Sequence, residues 1–196
     1  MSKGRLEAFS DGVMAIIITI MVLELRAPED GTLEALRPLL PKFLSYVLSF
    51  VYLGIYWNNL HHLLQAAKQV NGPILWANLH LLFWLSLIPF VTAWTGENSF
   101  STIPVTLYGG VLWLSGLAYY ILARALISHH GQDSVLAKAI GKDSKGIRSL
   151  YIYSAAILLA FVAPWIATGL YIFVAIMWLI PDRRIENKLT GQDAYE

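Results

Sequence analysis

Apolar positions in this chain come in long runs, and polar positions gather between them. The first run, RLEAFSDGVMAIIITIMVLEL, reaches from Arg5 to Leu25. At 1.5 Å per residue, its roughly 20 residues suffice to cross a hydrocarbon layer of ~30 Å. Ser10, Asp11, Thr19 and Glu24 interrupt it. Ionisable groups inside a span are costly and mark a pathway or a buried partner, so this first helix is read as lining an ion pore.

A polar connection from Arg26 to Leu36 follows, with Pro28, Glu29, Asp30 and Glu34. Pro38 and Pro41 stand where the next helix begins, a place that tolerates proline. The second run, from about Leu40 to Leu64, ends in the polar group WNNLHHLLQAAKQ, and Asn71-Gly72-Pro73 signals a turn. The third runs from Ile74 to Thr95, with a kink predicted at Pro89. The fourth, Ile103 to Ile127, contains Gly109, Gly110 and Gly116, small residues that let helices approach in lipid. A polar connector from His129 to Arg148 carries a short surface helix predicted over Ser134–Ile140. The last stretch, about Leu150 to Ile180, is long for one span and short for two, with Pro164 in its middle.

Charge resolves that ambiguity. With six spans and both termini cytoplasmic, only Arg26, Arg37 and Lys42 of the 14 basic residues fall outside, a strong positive-inside bias. With five spans Arg183, Arg184 and Lys188 move outside and the bias weakens. The expectation is an all-α, multi-pass protein of the cell membrane, a single domain over residues 1–196 with spans near 5–26, 39–66, 74–95, 102–127, 147–163 and 165–181. Composition agrees: 57% of residues are hydrophobic and 14% charged, against ~25% charged in ordinary soluble domains. The net charge of +1 gives no hint of nucleic acid, and zero cysteines exclude disulfides and thiolate metal sites. The first run carries an Asp and lacks a small-residue cleavage site, so it is expected to persist rather than be removed as a signal.

At 100° per residue, Ile16, Ile20 and Leu23 fall within about 60° of one another on the first helix, with Thr19 on the flank. Asp11 lies on the far side and must face another helix. Topology brings Asn58, His61 and His62 of the second span, and Trp76, Asn78 and His80 of the third, to its depth. A buried network joining Asp11 and Ser10 to some of these is expected, because lipid offers polar groups no partners. Arg5 is expected to snorkel or to bond a neighbouring helix. By itself the aliphatic stripe suits ordinary helix packing and reveals no pore. A structural network is favoured for Asp11 and the histidines over a proton relay, which would make the protein a proton-coupled transporter or proton conductor through Asp11, His61 and His62. His61 and His62 are adjacent and point about 100° apart, so they cannot easily share a metal. His129-His130 is read as solvated loop. No nucleophile–base pair or phosphate loop points to an enzyme.

The string Arg5-x-x-x-Phe9-Ser10-Asp11-Gly12-Val13-x-Ala15-Ile16-x-x-Thr19 resembles the signature of the Transmembrane Protein 175 family of potassium channels. The WNNLHH group, Asn78 and the closing IPDRRIE look similar too. The resemblance implies a homotetramer, since bacterial members carry one six-helix unit per chain and line a central pore with the first helix. It implies a hydrophobic constriction at Ile16, with Ile20 and Leu23 further outward, and a part for Thr19 in potassium selectivity. It assigns Arg5, Phe9, Ser10 and Asp11 to a structural network with helices 2 and 3, and implies no cofactor beyond permeant K+. No TVGYG filter string is present. Glu24, with Glu29, Asp30 and Glu34, would concentrate cations at the outer mouth, or form a plain solvated loop.

Overall fold

The computed structural model describes residues 2–67, 69–131, 134, 137 and 144–179. Seven α-helices occupy most of these: α1 (Lys3–Leu23), α2 (Leu40–Gln65), α3 (Gly72–Ser86), α4 (Ile88–Glu97), α5 (Thr102–His130), α6 (Ser144–Ala160) and α7 (Pro164–Leu179). A 3-10 turn, Glu34–Leu39, leads directly into α2.

Proline sets two of the boundaries. Pro89 has no N–H to give and its ring crowds the carbonyl four residues back. The third apolar run therefore breaks at Leu87, whose N–H bonds Trp84 O at 3.2 Å, and α3 and α4 form one kinked stretch. Pro164 opens α7, dividing the last run into helices of 17 and 16 residues. The third boundary is a cap: Asn71 Oδ1 accepts the Ile74 N–H at 3.1 Å at the start of α3. Lys3–Leu23, Glu34–Gln65, Gly72–Glu97 and Thr102–His130 are each long and apolar enough to cross a membrane, and Pro164–Leu179 is a shorter apolar helix.

One expectation changes here. His129 and His130 are the last residues of α5 rather than part of a loop, because the helix continues past the end of the apolar run. Most of the surface helix expected over Ser134–Ile140, and the tail with Arg183, Arg184 and Lys188, lie outside the described residues.

The core draws on all seven helices, and where α2, α5, α6 and α7 meet, five tyrosines are buried: Tyr52, Tyr56, Tyr108, Tyr153 and Tyr171. Their hydroxyls need partners there, since an unsatisfied polar group in an apolar interior is costly. Tyr52 donates to the Tyr171 carbonyl at 2.6 Å, Tyr153 to the Tyr52 hydroxyl at 3.3 Å, and Tyr171 to the Val105 carbonyl at 3.2 Å. Gly109 makes room for Tyr171, since a Cβ there would collide with its hydroxyl. Gly116 sits close to Leu150, while Gly110, also expected at a helix contact, faces open space.

At the end of the bundle that carries Glu97, α2 and α4 touch backbone to side chain. A Cβ on Gly96 would stand 2.7 Å from Lys42 Cα. Ser45 donates to the Thr92 carbonyl at 3.1 Å, Ser49 and Thr92 share a 2.6 Å hydrogen bond, and Lys42 pairs with Glu97 at 2.9 Å. Against this rigid body α1 leans on α2, α3 and α4, and makes its contacts along one face.

Candidate functional site

The buried face of α1 is Leu6, Ser10, Met14, Ile17 and Met21. That stripe lies about 110° around the helix from Ile16, Ile20 and Leu23. In the single chain Ile16, Ile20 and Leu23 are 59%, 43% and 76% exposed. The helix therefore has three faces: one packed inward, one aliphatic and bare, and a third carrying Asp11.

Thr19 is exposed on the flank of the aliphatic stripe. Its hydroxyl donates to the Ile16 carbonyl at 2.8 Å. The proton is thus held within the helix, and the oxygen lone pairs are left facing outward. Such a group accepts from water or coordinates a cation and has nothing to offer an anion.

Ser10 is fully buried. It donates to Leu6 O at 2.9 Å and receives a hydrogen bond from Asn78 Nδ2 on α3, also at 2.9 Å. Asn78 Oδ1 is buried with no partner among the described residues.

Asp11 is not part of this contact. It is exposed, and Oδ1 accepts from Trp57 Nε1 on α2 at 3.0 Å. The single network expected around Asp11 is therefore two separate contacts, and the buried one belongs to Ser10. The reason is angular: Ser10 points into the packed face and Asp11, one residue on, is turned about 100° out of it.

The other expected members scatter. His61 is exposed and stacks on Trp57 with ring centroids 6.0 Å apart, and His62 follows at 5.6 Å from His61. His62 Nδ1 is buried without a partner among the described residues. His80 accepts from Trp84 within α3 at 2.8 Å, so it does not turn to Asp11. Arg5, Phe9, Asn58 and Trp76 are exposed in the single chain.

Trp57 is the residue the sequence reading passed over. The signal was available: an indole N–H only donates and seeks an acceptor wherever water is scarce.

Glu24 caps the far end of α1 and is exposed, as are Glu29, Asp30 and Glu34 in the connection that follows. Glu24 shares a shallow crevice with Met21, Lys42, Ser45, Thr92 and Glu97. Among the described residues no group of three His, Cys, Asp or Glu is arranged to hold a metal.

Residues 5–89 match the family described as "Endosomal/lysosomal potassium channel TMEM175". A potassium channel of Chryseobacterium sp. (strain P1-3) is 56% identical over 189 residues, covering 96% of this chain and 98% of its own. A potassium channel of Chamaesiphon minutus is 30% identical over 193 residues, covering 90% of this chain and 93% of its own. The crystal structure of a lysosomal potassium-selective channel TMEM175 homolog from the same organism superposes with a TM-score of 0.78 at 28% identity, over 91% of this chain and 96% of that one.

Proposed function

The chain belongs to the TMEM175 family, and from that premise we propose that it is a potassium channel in which four copies surround a pore lined by α1. It is a membrane-spanning ion channel and not an enzyme. The observation that carries the pore assignment is the bare Ile16/Ile20/Leu23 face with Thr19 beside it, on a helix whose other faces are anchored to the bundle through Ser10 and Asp11. Lipid would accept the aliphatic side chains equally well. The outward lone pairs of Thr19 are what favour a cation path.

In a four-fold arrangement, the Ile16 side chains form a hydrophobic ring that blocks ions by dewetting, with Ile20 and Leu23 further out. Opening requires that ring to widen. The Thr19 hydroxyls, one turn along, replace part of the ion's hydration water. Glu24, Glu29, Asp30 and Glu34 raise the cation concentration at the outer mouth, an effect that salt weakens.

Ser10 and Asp11 anchor the pore helix, Ser10 through Asn78 and Asp11 through Trp57. Arg5, Phe9, Asn58, His61 and His62 flank that attachment. The reading extends to a single six-span unit over residues 1–196 in the cell membrane with both termini cytoplasmic. The concentration of basic residues in the inner segments supports this orientation.

A relay through Asp11, His61 and His62 finds less support. Asp11 is bonded to an indole, which cannot pass a proton on, and no hydrogen bond joins it to either histidine among the described residues. Reconstitution into liposomes with potassium and sodium flux tests the channel reading, and the mass of the detergent-solubilised assembly tests the four copies.

A further inference from the structure

At the end of the bundle where α1 begins and α5 ends, two histidines hold the α2–α3 connection. Asn71 Nδ2 lies 3.1 Å from His129 Nδ1, and the backbone N–H of Gln69 donates to His130 Nε2 at 3.3 Å. His130 Nδ1 lies 2.9 Å from the Leu126 carbonyl.

The partners determine which ring atoms carry protons. Asn71 Oδ1 is identified as the oxygen because it accepts the Ile74 N–H, so Nδ2 donates and His129 Nδ1 must accept. The Gln69 N–H can only donate, so His130 Nε2 accepts, and its Nδ1–H goes to Leu126. Both contacts therefore need neutral rings. A doubly protonated imidazole has no acceptor left.

These contacts lead to the pore helix. Asn71 is the N-cap of α3, and Asn78, two turns along the same helix, donates to Ser10 of α1. We propose that the His129–Asn71 and His130–Gln69 hydrogen bonds form a proton-sensitive clamp that positions α3, and through Asn78–Ser10 the pore-lining helix. The clamp rests on the channel reading and adds a means of regulating it.

Histidine is the side chain whose charge ordinarily changes between about pH 5 and 8. Protonating either ring removes its acceptor and places a cation against an N–H donor. Protonating both sets two cations on rings whose centroids are 5.1 Å apart. His129 is exposed and His130 half-buried, so protons can reach them. The charged and titratable groups at this end are Lys3 and Glu7 on α1, paired with each other at 3.7 Å, Arg5 on the same helix, His61 and His62 in the last turns of α2, Arg124 on α5, and Lys145 and Arg148 on α6. Lys68 and Asp133 are neighbours in sequence that lie outside the described residues.

The test is potassium flux through the full-length protein in liposomes, at about pH 7.5 and about pH 5.5 on both faces. The wild-type flux is expected to change about fivefold or more, the low end of ordinary coupling between sites. His129→Gln combined with His130→Gln is expected to flatten that response. Asn71→Asp is the sharper variant. Its carboxylate still caps α3, but as an acceptor it bonds a protonated His129 more strongly than the neutral ring, so the pH response is expected to reverse in sign. A wild-type flux that ignores pH, a response that survives in the double glutamine variant, or an Asn71→Asp response of unchanged sign overturns the clamp. Absence of any potassium flux overturns the channel reading instead. The clamp is then judged by hydrogen exchange of the amides over residues 69–77, whose protection relative to α2 must fall on acidification in the wild type and not in the double glutamine variant.

Discussion

Asn78 donates to Ser10 at 2.9 Å with both side chains fully buried, and this bond fastens the proposed pore helix to α3. Hydrogen bonds between membrane helices average only about 0.6 kcal/mol in double-mutant cycles. Truncating one partner costs more, because the other is left orphaned at about 1–3 kcal/mol. Ser10→Ala is therefore expected to lower the thermal midpoint of the solubilised protein clearly. Adding Asn78→Leu to it should cost less than the two single changes summed. Strict additivity in that cycle would mean the pair does not interact.

Gly96 and Gly110 make a contrasting pair. A Cβ at Gly96 meets the Lys42 backbone at 2.7 Å, whereas at Gly110 it meets nothing within 4 Å. Gly96→Ala should force α2 and α4 apart and destabilise by about 1–3 kcal/mol. Gly110→Ala should be neutral, or stabilise by up to about 1 kcal/mol through helix propensity. Melting curves of the two variants in one detergent compare them directly, and equal midpoints would refute the contact.

Much of this architecture was legible because its determinants are local. Pro89 and Pro164 break helices wherever they stand, and the basic residues placed the last two helices without any knowledge of packing. The inward face of α1 was not legible. Met14, Ile16, Ile17, Ile18, Ile20, Met21 and Val22 surround the helix with side chains of like polarity, so periodicity names several faces and tertiary contact chooses one. Ser10 and Asn78 both stood among the residues expected to find polar partners, since buried polar groups in lipid have few alternatives, and Asn78 donates to Ser10. The Asp11–Trp57 contact was missed because the amides and imidazoles of the WNNLHH group drew the search for polar partners, and the indole N–H beside them counts as apolar in a hydropathy pattern. The end of α5 ran past expectation because hydropathy marks where apolar residues stop, and helices can continue beyond that.

The Ile16 ring sets a barrier to wetting in the proposed pore. Ile16→Asn supplies amides that hold water there, and potassium flux in liposomes should rise by about tenfold or more, a change of about 1.4 kcal/mol in the barrier. Flux no higher than wild type would remove Ile16 from the constriction.

Thr19 is assigned to selectivity through its hydroxyl oxygen, whose proton is committed to Ile16 O. Thr19→Ala should reduce the preference for potassium over sodium, and Thr19→Ser should retain it. Bi-ionic reversal potentials measure this. Identical potentials in all three proteins would assign selectivity elsewhere.

The chain contains no cysteine, so a single introduced thiol reports its position without background. The most direct measurement places cysteine at Thr19 or at Val22, which is also exposed but turned away from the aliphatic stripe, and follows potassium flux after adding a small cationic thiol reagent. Rapid block of Thr19→Cys with Val22→Cys unaffected is the result expected if α1 lines the pore. Flux through Thr19→Cys that persists after complete labelling would contradict it.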